Sequence, residues 1–155
     1  MKIIAVRLMV GVLAIAASPL GAAERGQVWK SPTCGCCNAW VEYMQTKGFE
    51  LAVKESTPDE LDSVKEQNGV TRKLAGCHSA KIAGYMIEGH VPAQDVERLL
   101  AEKPDAIGLS VPGMPPGSPG MKTGDGTVEA FDVLLMKKDG GSEVFARYPA
   151  GKPAN

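Results

Sequence analysis

Three of the chain's four cysteines fall within four positions, inside the stretch SPTCGCC at 31–37. Of Cys34, Cys36 and Cys37, only one can pair with the distant Cys77, and a second bond has to close within the stretch itself. Two such bonds brace little of the chain, so disulfides cannot stand in for a hydrophobic core. The 155 residues are 44% hydrophobic, an ordinary share for one globular domain. The crowded sulfurs therefore read as chemistry rather than stapling.

Local patterns place them at a strand-to-helix junction. GQVWK (26–30) reads as a strand that Ser31-Pro32 ends, and a helix follows over about 36–47. Cys37, Trp40, Val41 and Met44 share one face of that helix, and Gly48 stops it. FELAVKE (49–55) alternates as a strand does. Thr57-Pro58-Asp59-Glu60 carries an N-cap, a first-turn proline and a capping-box glutamate, opening a helix that runs to about Asn68. SAKIAGYMIEG (79–89) reads as two short strands around Ala83-Gly84. Pro92 opens a third helix, with Ala93, Val96, Leu99 and Leu100 on one face, ending before Pro104. The order β-α-β-α-β-β-α is that of a thioredoxin-like α/β fold, in which a C-x-x-C opens the first helix. From 108 to 126 the chain is expected to be an irregular Gly/Pro loop, functional by its length. A C-terminal β-hairpin follows, with strands at 129–137 and 142–148 around Asp139-Gly140-Gly141. A single metal-binding domain is expected over 24–149, with 150–155 as a flexible tail.

Residues 1–23 stand apart. A basic start with Lys2 and Arg7, an apolar run at 8–17, and small residues through Ala22 and Ala23 form a secretory signal peptide. The run is too short to span a bilayer, and the mature chain is expected in a bacterial periplasm, free of the membrane. Without Lys2 and Arg7, the 17 basic residues become 15 against 18 acidic ones. No basic run remains, which argues against a nucleic-acid partner.

Free N–H groups and the helix dipole favour anionic sulfur at 34–37, whether to attack disulfides or to bind soft metals. Cys34 and Cys37 have the spacing of a redox pair. Cys36 favours metal, because thiolates bridge ions and prefer soft ones such as Cu(I). In a thioredoxin-like order, the segment entering the third strand approaches this loop; Cys77-His78 occupy it where a cis-proline is usual. His78 is either a packing histidine or a ligand, and His90 either binds metal or orients the third helix. Met114 and Met121 lie in PGM repeats of the Gly/Pro loop, where no core face explains them, and they offer thioether sulfur or simple cover. A tetrahedral zinc module remains a third chemistry for four cysteines.

SPTCGCC, GCHSAKI, GYMIEGHVPA and PGMPPGSPGM, in that order, resemble the CopG-like family of exported bacterial metal-binding proteins associated with copper resistance. The resemblance spans roughly 27–148. It implies a thioredoxin-like fold with a polynuclear Cu(I)–thiolate cluster held by Cys34, Cys36, Cys37 and Cys77. His78, His90, Met114 and Met121 are matched motif residues. Copper ions and periplasmic copper-transfer proteins are the partners implied, with a copper-linked thiol redox role at Cys34 and Cys37 as the alternative.

Overall fold

A computed structural model describes residues 24–154. The expected signal peptide lies outside the described residues. Strand β1 (Arg25–Lys30) leads through a tight loop into helix α1 (Gly35–Thr46), then β2 (Glu50–Glu55) and α2 (Pro58–Gln67). Strands β3 (His78–Ile82) and β4 (Tyr85–Glu88) precede α3 (Ala93–Glu102), β5 (Gly108–Ser110), β6 (Phe131–Met136) and β7 (Ser142–Tyr148). All seven described strands form one sheet, in the order β2-β1-β3-β4-β5-β6-β7. β1 runs parallel to β2 and antiparallel to β3, and β3 is antiparallel to β4.

The helices form for the reasons their sequences state. α1 buries Cys37, Trp40, Val41 and Met44. α2 carries a complete capping box between Thr57 and Glu60. α3 buries Ala93, Asp95, Val96 and Leu99, with Pro92 one position outside it as N-cap. Side chains alternate across the sheet, so Ile87 faces one way and Met86 the other. The main core joins Trp40, Met44, Val96 and Leu99 to Val28, Ala80, Ile82, Ile87 and Leu109. A smaller cluster of Val70, Leu74, Met86 and Met136 gathers with Val64 on the α2 face. Helices α1 and α3 thus cover one face, and α2 the other.

One feature departs from expectation. The Gly/Pro segment is not irregular from its start: β5 pairs parallel to β4 and antiparallel to β6, tying the hairpin into the main sheet. Three residues, one of them Gly108, are too few to show a strand period, and both partners of β5 come from elsewhere in the chain. In the expected tail, residues 150–153 are exposed and Ala154 alone is buried. Ala154 is only 4% exposed, and its N–H donates to the Gly117 carbonyl.

Candidate metal centre

The cysteine loop is held by the start of α1. Cys34 is the N-cap, its Sγ accepting the N–H of Cys37 at 3.3 Å. Cys34 and Cys37 are joined as a disulfide, while Cys36 and Cys77 are free thiols. Cys36 Sγ lies 3.5 Å from Cys34 Sγ, and Cys77 Sγ lies 3.4 Å from Cys37 Sγ. All four sulfurs fall within 4.8 Å of one another. Cys37 is fully buried beneath the loop, whereas Cys34, Cys36 and Cys77 are half-buried.

Cys77 arrives from the far side through a close backbone contact. A Cβ on Gly76 would stand 2.5 Å from the Gly89 Cα, so only glycine lets the segments before β3 and after β4 touch. Gly89 N–H donates to the His78 carbonyl at 3.0 Å, closing the same junction. This contact sets Cys77 beside both histidines: its Sγ is 3.1 Å from His90 Nε2 and 3.4 Å from His78 Nδ1. Cys77, His78 and His90 form a second group of donor atoms within 4.8 Å of one another. Burial pushes the Cys77 thiol up to about 12, with the neighbouring Cys36 adding to the effect. Burial also holds His78 well below the usual imidazole range, with His90 as the next cause, and lowers His90. Both imidazoles are therefore neutral, the form that binds metal.

Each imidazole has a distinct orientation. His90 Nδ1 is 2.7 Å from the Pro119 carbonyl, which can only accept, so Nδ1 carries the hydrogen and Nε2 turns its lone pair toward Cys77. His78 packs against Trp40, ring centroids 4.5 Å apart. Its Nε2 is the one buried side-chain nitrogen or oxygen without a partner among the described residues. Four clustered sulfurs beside two neutral imidazoles suit a soft or borderline metal ion.

A family model described as "Protein of unknown function, DUF411" matches residues 74–121, the segment carrying Cys77, His78 and His90. Two solved structures, named copper resistance protein CopG form 1 and form 2, share 36% and 37% identity with the chain. They match with TM-scores of 0.76 and 0.75, over 83% of this chain and 99% and 100% of theirs. The chain belongs to the CopG family. No curated protein matches it.

For this CopG-family chain, the sequence motifs converge unequally. Cys34, Cys36, Cys37, Cys77, His78 and His90 meet at one place. Met114 and Met121 sit in the loop that covers it. Met114 is 53% exposed and follows Gly113, whose backbone bridges Gly76 beside Cys77. Met121 lines a cavity of about 740 Å³ between α1 and the loop, together with Ala39, Tyr43 and Thr123. The loop itself rests on α1: a Cβ on Gly120 would lie 2.7 Å from Trp40 N and 2.8 Å from the Cys36 carbonyl.

Three contributors escaped the sequence reading. The Pro119 carbonyl is backbone and has no side-chain signature. Glu88 is fully buried on the α2 face, accepting from Lys65 Nζ at 2.7 and 3.0 Å and from Ser79 Oγ at 2.5 Å. It ties β3, which begins at His78, and β4, which leads into His90, to α2. A carboxylate in the apolar run YMIEG was the available signal for Glu88; nothing local marks Lys65 as its partner.

Proposed function

We propose that the chain is an exported, periplasmic Cu(I)-binding protein of copper resistance, holding its metal in a thiolate cluster on the C-x-C-C loop. One observation carries this reading: four sulfurs, three from the start of α1 and one from the segment entering β3, lie within 4.8 Å of one another. Thiolates are soft and stabilise Cu(I), and bridging sulfur lets several ions share few ligands, which supports a polynuclear cargo. Cys34 and Cys37 join this donor set only when reduced, each regaining a thiol as a dithiol reductant takes up the disulfide. His90, with its Nε2 lone pair turned inward, and His78 stand as further ligands. The loop at 111–128 acts as a lid, and its Met114 and Met121 are placed there as thioethers for capture or release toward a copper-transfer partner. The names of both CopG relatives support copper as the cargo.

The thioredoxin-like reading of 24–149 is supported by the strand order β2-β1-β3-β4 and its directions. Export is supported by the leader pattern at 1–23. Among the described residues no helix is long and apolar enough to cross a membrane.

Anaerobic Cu(I) titration of the reduced protein against a competing Cu(I) chelator tests the copper reading. Retention of less than one copper per chain overturns it. The disulfide at the start of α1 favours a second reading, a thiol–disulfide oxidoreductase using Cys34 and Cys37. That activity survives Cys36→Ser, whereas copper retention does not.

A further inference from the structure

Each sulfur of the Cys34–Cys37 disulfide has a free thiol beside it. Cys36 stands 3.5 Å from Cys34, and Cys77 stands 3.4 Å from Cys37. Two intramolecular exchanges are therefore within reach, and their leaving groups differ. Attack by Cys36 on Cys34 expels Cys37, whose side chain is fully buried, and closes a ring between residues two apart at the helix start. Attack by Cys77 on Cys37 expels Cys34. That sulfur is half-buried, caps α1 and accepts the Cys37 N–H at 3.3 Å. Thiolate departs more readily where a helix N-terminus and an N–H stabilise it. The leaving group favours the second exchange.

We propose that Cys77 is an exchange thiol that moves the disulfide inward, from Cys34–Cys37 to Cys37–Cys77, leaving Cys34 and Cys36 as a free pair at the mouth of the site. The Cys77 sulfur forms a bond to Cys37 Sγ as the Cys34–Cys37 bond breaks with its electron pair on Cys34. The proton lost by Cys77 is matched by one gained at Cys34 through solvent, so no oxidant or reductant is consumed. The consequence concerns metal. In the first form the free thiols, Cys36 and Cys77, belong to different segments of the chain. In the second, Cys34 and Cys36 face one another across a single glycine, a two-thiolate site for one soft monovalent ion. The oxidised chain thus keeps a metal-accepting face, and such an ion pulls the disulfide inward because it binds that form better. This last step rests on the proposed copper reading; the exchange itself does not.

Trypsin separates the partners, releasing Cys34, Cys36 and Cys37 in the peptide 31–47 and Cys77 in the peptide 74–81. The oxidised, full mature chain is incubated for hours at mildly alkaline pH with a chelator, because exchange runs through thiolate. It is then quenched in acid, alkylated, digested and read by tandem mass spectrometry. The expected result is a cross-linked peptide pair joined through Cys37 and Cys77, with alkyl groups on Cys34 and Cys36. One equivalent of Ag(I), a redox-inert stand-in for Cu(I), is expected to raise that species several-fold. The C34S variant, oxidised in the same way, gives the same Cys37–Cys77 link. A wild-type digest holding Cys34–Cys37 alone, with Cys36 and Cys77 alkylated with and without Ag(I), overturns the proposal. So does a cross-link through Cys34 or Cys36. Failure of the reduced protein to retain Cu(I) overturns the copper reading while leaving the cross-link standing. A missing cross-link beside intact copper retention overturns the exchange alone.

Discussion

Replacing Lys65 with methionine tests whether the buried ion pair behind the site is as strongly coupled as its geometry implies. Glu88 is fully buried, and Lys65 supplies its only contacting cation among the described residues, through contacts of 2.7 and 3.0 Å. Methionine keeps the apolar stem and removes the charge, leaving the carboxylate with Ser79 Oγ at 2.5 Å. Removing one partner of a buried pair costs about 3–5 kcal/mol. The Lys65 side chain is 11% exposed, which leaves the ammonium a little water and points to the lower end, about 3 kcal/mol. With a urea slope of about 1.5 kcal/mol/M, the unfolding midpoint falls by about 2 M. The pH dependence has a definite sign. Burial raises Glu88 above its ordinary 4.5, against the opposing pull of Lys65. Such a group keeps its proton in the folded state where the unfolded chain releases it, so stability falls as pH rises from 4.5 to the folded value and is level above it. Loss of Lys65 raises Glu88 further, so the gap between variant and wild type narrows on acidification from neutral pH toward 5. Urea unfolding at several pH values, followed by tryptophan fluorescence, gives both quantities. Adding Glu88→Leu to Lys65→Met is expected to recover most of the loss, since an apolar pair leaves no buried charge. A single variant within 0.5 kcal/mol of wild type, or a gap that widens in acid, would refute the coupling.

Other outcomes follow from the site. Gly120→Ala places a Cβ against the α1 backbone at a φ of +83°, so the loop lifts at a cost of about 1–2 kcal/mol for the left-handed conformation alone. The Pro119 contact to His90 is lost with it, seen as disappearance of the protected His90 Nδ1 proton in NMR. Cys36→Ser is expected to weaken Cu(I) retention by at least about tenfold, a loss of about 1.4 kcal/mol or more, in chelator competition with the far-ultraviolet circular dichroism unchanged. Metal removal is expected to leave the fold standing, because the main core gathers residues from α1, α3 and the sheet without the sulfurs; unfolding on chelation, read by the same spectrum, favours a structural zinc module instead.

The parts of this molecule legible in its sequence are those whose causes are local. The helix face of Cys37, Trp40, Val41 and Met44 repeats within one element, and the Thr57–Glu60 capping box closes over three residues. The C-x-C-C loop was legible for the same reason: Cys34 caps the helix that its own neighbours begin. β5 was not legible, because three residues acquire a strand's hydrogen bonds only from β4 and β6. The place of Ala154 likewise depends on the Gly117 carbonyl, 37 positions away in a loop without regular structure.

Sequence by itself determined that three sulfurs stand at a helix start, where backbone N–H groups favour thiolate, and that Cys77, two histidines and a Gly/Pro loop accompany them. Tertiary structure decided which of these meet. The close contact of Gly76 with Gly89 sets Cys77 against Cys37 and His90, and the Pro119 carbonyl turns one particular nitrogen inward. Distances of this kind arise where separate segments pack, and short-range spacing carries no information about them.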